Sequence, residues 1–155
     1  MDADFKPLAR SIGRADKFVR AWVNRELAPM GASVTEWILL FNIYGAPKPG
    51  LSQTEIAQYA DMGGPALVRH LDRMERDGLA VRTRDARDRR ITRVRLTDAG
   101  LARLEEMAVV IDRCDLQLRS QLTPREQSVL ERALDKIFDF VIAEVRDDGL
   151  VTKGA

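Results

Sequence analysis

Ten arginines fall between residues 62 and 95, at positions 69, 73, 76, 82, 84, 87, 89, 90, 93 and 95. Only five acids accompany them: Asp72, Glu75, Asp77, Asp85 and Asp88. This stretch has five more positive than negative charges and the rest of the chain is negative by four, so a net charge of +1 hides a basic middle in an acidic surround. A polyanion-binding surface leaves that footprint. Arginine outnumbers lysine twenty to five, and its planar fork pairs bidentately with phosphate oxygens and guanine edges. A solvated, ion-paired face has the same composition, so charge alone leaves both readings open.

Spacing narrows the chemistry. The hexapeptide DARDRR (85–90) interleaves acids with arginines. One or two such arginines can enter a narrow minor groove, where the negative potential is strongest, and an acid can hold a neighbouring guanidinium by bidentate pairing. Asp88 is assigned that positioning role and Arg89 or Arg90 the groove contact, with Arg87 beside them; the alternative is a solvated hairpin turn. The segment GGPALVRHLDRMERDGL (63–79) reads as a helix. Pro65 suits its first turn, and Leu67, Leu71 and Met74 recur at inward-facing spacing. Ala66, Arg69, His70, Arg73 and Asp77 then share the outer face. If this is a recognition helix, its N-terminal half lies against base edges. Gly64, Pro65 and Ala66 let backbone approach, Arg69, His70 and Arg73 supply reach, and the amides near Gly63 and Gly64 suit a phosphate oxygen. Ion pairing of Arg69 or Arg73 with Asp72, Glu75, Glu55 or Asp77 is the competing reading. Gly78 reads as a left-handed helix cap.

These groups need elements to hold them. Apolar residues at helical intervals predict a first helix over about 7–28, stopped by Pro29, and a second over about 34–45. Short helices follow at about 52–60 and 64–77. Capping boxes are expected at Ser33 with Glu36 (or Thr35 as the cap), Ser52 with Glu55, and Thr123 with Glu126. Residues 79–84 and 91–96 alternate apolar with basic residues, as half-buried strands do, with DARDRR as the tip between them. Thr97 caps a helix to about 121, and a last helix runs over about 124–146, with Leu130, Leu134, Ile137, Phe138, Val141 and Val145 along it. GAPKPG (45–50) is too short to separate domains. The expected fold is mainly α with a small β-hairpin wing (α+β). A winged helix-turn-helix (34–97) sits between long helical segments (7–30 and 98–147) within one domain, 1–155. The flanking helices exceed what one small DNA-binding unit covers, so a second copy of the chain is the expected partner.

Other chemistry finds little support. There is no phosphate loop after a strand, no nucleophile elbow, and no His paired with Cys or Ser, so no catalytic residue and no cofactor are expected. One His and one Cys make a poor metal site without several carboxylates. No apolar run approaches the ~20 residues of a membrane span, and the acidic start MDADFK is unlike a secretory signal. A lone Cys114 in a long helix is expected to be packed and inert. Trp22, Trp37, Phe41 and Tyr44, with Arg20 or Arg25 nearby, form a candidate pocket for a small aromatic anion, although each aromatic, Trp37 above all, also reads as core.

VTEW (34–37), LSQTEIAQYA (51–60), PALVRHLDRMERDGL (65–79) and DARDRR…VRLTDAG (85–100) together resemble the MarR family of bacterial regulators, and within it the SlyA-like branch. The likeness spans about residues 8–145. It implies a cytoplasmic homodimer whose terminal helices form the interface. Each winged unit would bind half of a pseudo-palindrome in double-stranded DNA, and small anionic aromatics would weaken that binding. Pro65, Ala66, Arg69 and Arg73 match the family's recognition helix, and Asp88, Arg89 and Arg90 its wing. Ala66 stands where many members carry Ser or Thr, and the reactive Cys that the peroxide-sensing branch carries early in its first helix is missing. A sequence-indifferent DNA coat and a winged helix used for protein contacts are the competing classes.

Overall fold

A computed structural model describes residues 7–46, 50–60 and 62–147. The middle of GAPKPG, residue 61, both chain ends and the side chains of residues 145–147, Val145 among them, lie outside what it describes. Helix α1 (Leu8–Leu27) runs into a 3-10 turn, Ala28–Met30, containing Pro29, and Gly31 at φ 67° reverses the chain. Helix α2 (Val34–Tyr44) is capped by Ser33, not Thr35: the Ser33 hydroxyl accepts from the Glu36 amide at 3.2 Å. The expected box does not close, because the Glu36 carboxylate is taken elsewhere. It accepts from Arg103 Nε at 3.0 Å, and Arg103 also donates to the Met30 carbonyl at 2.8 Å. At Ser52 and Glu55 the box closes both ways and starts α3 (Gln53–Tyr59). Thr123 and Glu126 do the same ahead of α6 (Pro124–Asp147).

Helix α4 (Gly64–Arg76) buries Leu67, Leu71 and Met74, as their spacing predicts. Gly78 follows at φ 72°, a conformation that costs glycine nothing and other residues about 1 kcal/mol or more. The strands are β2 (Ala80–Arg84) and β3 (Thr92–Leu96), antiparallel, with Ala80 opposite Leu96 and Arg84 opposite Thr92. A third strand, β1 (Leu51–Ser52), pairs on the far side of β3, with Leu51 opposite Val94. Two residues are too few to show a periodicity, so the sequence predicts only the hairpin. The faces of β2 also differ from the apolar–basic alternation: Val81 points out, 41% exposed, while Arg82 shares the inner face with Ala80 and Val94.

Thr97 starts α5 (Asp98–Arg119). Its hydroxyl accepts from the Gly100 amide at 3.0 Å and donates to the Gly78 carbonyl at 2.6 Å. Gly100 is buried there, at a position that takes glycine because a Cβ would collide with the Leu79 carbonyl oxygen. One core unites α1 to α5 and the sheet around Leu27, Leu39, Leu40, Ile56, Leu67, Leu71, Val94, Met107 and Cys114. Burial pushes the Cys114 thiol up from its ordinary range, with Glu26 adding to the effect, which suits a packed, unreactive sulfur. Helix α6 buries no described residue. It leaves Val129, Leu130, Leu134, Phe138 and Val141 exposed and is tied to α5 at Arg119, whose guanidinium donates to Glu131 at 2.8 Å and whose backbone carbonyl accepts from the Gln127 side chain at 2.9 Å.

Candidate nucleic-acid interface

The ten arginines divide into two groups. Three bond carboxylates: Arg73 pairs with Asp77 at 3.5 Å, Arg82 with Asp72 and Glu75, and Arg93 with Glu55 and Asp85. A fourth, Arg84, donates to the Arg89 carbonyl at 3.2 Å. The side chains of Arg69, Arg76, Arg87, Arg89, Arg90 and Arg95 have no hydrogen bond or ion pair among the described residues, and all six are exposed. An unpaired guanidinium keeps its donors and its full charge for a ligand; a paired one has already given up part of both.

The paired arginines position the others. Arg82 fastens β2 to α4, reaching Glu75 Oε2 at 3.2 Å and the Val68 carbonyl at 3.3 Å as well as Asp72. This occupies the acids that compete for Arg69. Arg93 joins three parts of the unit: Glu55 at the start of α3 (3.2 Å), the Gly50 carbonyl (3.2 Å) and Asp85 at the root of the wing tip (2.9 Å). Asp85 then accepts from the backbone amides of Arg87 at 2.8 Å and Asp88 at 3.1 Å, shaping the turn. The positioning acid of the wing is therefore Asp85, which sequence reasoning passed over. Asp88 holds no guanidinium; its carboxylate accepts the backbone amide of Arg90 at 2.9 Å. The signal that marks Asp85 is its place two and three residues before those amides, the spacing of an Asx-turn.

On α4, Gly64 and Pro65 are exposed at the helix start, Ala66 is half-buried behind them, and no side chain caps Gly63. Arg69 points to solvent. His70 does not share the outermost face. It is half-buried on the flank, lining a small hollow with Ser33, Glu36, Leu39 and Arg73, because three residues beyond Leu67 the helix has turned only part of the way outward. The predicted aromatic pocket is also redrawn. Phe41 and Tyr44 line a cleft of about 270 Å³ with Trp37 and α5, while Trp22 packs against the core and Arg20 pairs with Asp16 at 2.8 Å. Trp37, expected as core, is half-buried and stacks on Phe41 with centroids 5.1 Å apart. Among the described residues no cluster suits a metal ion, and no helix is long and apolar enough to cross a membrane.

Asp85 carries a pH prediction. The Arg93 guanidinium and the Arg87 and Asp88 amides hold its carboxyl down at about 2, against an ordinary 3.8. A depressed carboxyl stabilises the fold above its unfolded value and loses that contribution as pH falls through the folded one. The stability difference between wild type and Asp85→Asn, measured by denaturant unfolding, is expected to shrink as pH falls from 4 to 2. A constant difference would separate Asp85 from wing stability.

Helices α3 and α4 with the three-stranded sheet behind them make a winged helix-turn-helix, flanked by long helices. The MarR family model matches residues 30–91. The transcriptional repressor CouR, bound to a 23-mer DNA duplex, is 30% identical over 84% of this chain and 92% of its own, with a TM-score of 0.77. A mutant of MarR from E. coli, in complex with operator DNA, is 26% identical over 84% and 93%, with a TM-score of 0.76. A MarR family protein of Mycobacterium tuberculosis, in complex with salicylic acid, is 27% identical over 88% and 99%, with a TM-score of 0.71. The chain belongs to the MarR family and is a DNA-binding transcriptional regulator of that type.

Proposed function

We propose that the protein works as a bacterial cytoplasmic homodimer that represses transcription by binding a pseudo-palindromic operator. Each winged unit reads one half-site, and the half-sites are about one helical turn, ~34 Å, apart. The observation that carries this reading is the division of the arginines. Arg69 on α4 and Arg87, Arg89 and Arg90 on the wing are unpaired, while Arg82 and Arg93 fix the elements bearing them. In this reading Arg69 contacts base edges with Gly64, Pro65 and Ala66 beside it. Arg73 and His70 lie on its flank, and Arg89 or Arg90 enters the minor groove. The apolar stripe of α6 supports a dimer, with 7–30 and 98–147 as the pairing region around 34–97. The SlyA-like placement rests on the wing and recognition-helix motifs.

Selection of bound duplexes from a random pool at near-physiological salt tests the reading. A recovered pseudo-palindrome supports it; tight binding without enrichment points to an architectural coat, and no binding to a protein-contact module. Arg89→Ala and Arg90→Ala are each expected to weaken operator binding by about 1–3 kcal/mol with unchanged thermal unfolding. Unchanged affinity in both would remove the wing from the interface.

A further inference from the structure

The cleft between α2 and α5 is charged in the opposite sense to the one a small aromatic anion requires. Trp37, Phe41 and Tyr44, at i, i+4 and i+7 on α2, form one wall, and Leu104, Ala108 and Ile111 on α5 form the other. Phe41 and Tyr44 are 54% and 63% exposed, a large aromatic surface for residues facing a groove. The charged groups of the lining are Glu105 and Asp112, with no Arg, Lys or His among them. Neither carboxylate has a hydrogen bond or ion pair among the described residues. They stand seven residues apart, two turns along one side of α5, or about 10 Å. The arginines nearest in sequence are both engaged elsewhere: Arg103, two residues before Glu105, with Glu36, Met30 and Glu106, and Arg113, next to Asp112, with Glu26 at 3.5 Å.

We infer that this cleft binds an aromatic organic cation, with its ring against the Trp37–Phe41 stack and its ammonium facing Glu105 or Asp112. A cation over an aromatic face is attracted by the ring quadrupole, and an adjacent carboxylate adds a charge pair. An aromatic carboxylate of the same size gains the same apolar contact but meets two like charges and no donor. The volume, about 270 Å³, suits one or two fused rings. Occupancy also has a route to the DNA-binding unit. Glu36 and Arg103, the pair joining α2 to α5, each immediately precede a wall residue, Trp37 and Leu104. A guest that parts the two helices strains that joint. This consequence rests on the operator-binding reading, whereas binding in the cleft does not.

The test is calorimetry on the full-length protein without DNA, at neutral pH and low salt, using the naphthylmethylammonium ion, naphthylmethanol and naphthoate as cation, neutral and anion of one shape. The cation is expected to bind about tenfold tighter than the neutral probe, and naphthoate more weakly than either. Glu105→Gln with Asp112→Asn, both exposed and unpaired, should erase the charge preference yet keep binding of the neutral probe. Equal or tighter binding of naphthoate would overturn the inference. So would an undiminished preference in the double variant. Absence of binding by all three probes would also overturn it, and would give the cleft to a second copy of the chain. Failure to recover an operator would leave these results unaffected and would count only against the DNA reading.

Discussion

Leu134→Glu is expected to turn the protein into monomers and to lower operator affinity at least about a hundredfold. Leu134 is 44% exposed in the single chain, between Leu130 and Val141 on one stripe of α6. A helix of 24 residues that buries none of its described side chains against its own chain gains little from tertiary packing. Packing of an apolar face, rather than intrinsic propensity, supplies most helical stability in proteins. The stripe therefore needs a cover, and a two-fold dimer supplies the same stripe from the other chain. Symmetry places two glutamates in such an interface. An unpaired charge removed from water costs several kcal/mol, which a contact of this kind does not offset. The second half-site then binds as a separate event, and the avidity of linked modules, about 100- to 10,000-fold, is lost. Light scattering gives the mass, circular dichroism checks the fold and a mobility-shift titration gives the affinity. An intact Leu134→Glu dimer would place the interface elsewhere.

What the sequence discloses about this molecule follows sequence separation. Leu67, Leu71 and Met74 are legible because a helix repeats every 3.6 residues. Ser52 with Glu55 and Thr123 with Glu126 are legible because both partners of a cap lie within one turn. Glu36 looks like a third case and is not, since a guanidinium 67 residues away competes for its carboxylate. The same limit hides which arginines are free. Arg82 and Arg93 look like Arg89 and Arg90 in a list of charges. They differ only because tertiary pairing brings Asp72 and Glu75 to one and Glu55, 38 residues distant, to the other. The cleft is half legible: Phe41 and Tyr44 follow from their residue type, but α5 rather than α1 faces them, and it brings Glu105 and Asp112 into the lining.

Arg69 and Arg73 provide the sharpest test of the division between free and paired arginines. They lie one turn apart on α4, both exposed, and charge alone makes them equivalent. The structure does not: Arg73 is held by Asp77 across one turn, 3.5 Å away, whereas Arg69 has no partner among the described residues. Arg69 also lies nearer the helix start, where Gly64 and Pro65 let the backbone approach a groove. Arg69→Ala is expected to cost about 1–3 kcal/mol per half-site, about 2–6 kcal/mol per dimer, and to relax base preference at one position in each half. Arg73→Ala removes an exposed pair worth at most about 1 kcal/mol and should weaken all sequences alike. Affinity for the selected operator and for single-base variants of it, compared across the two mutants, separates these outcomes. A larger loss for Arg73→Ala, with altered base preference, would mean that the Asp77 pair opens on binding and that pairing in the free protein does not mark which arginines read DNA. Arg69→Lys sharpens the comparison further. It keeps the charge but loses the fork, so it should restore binding to unrelated DNA more fully than binding to the operator.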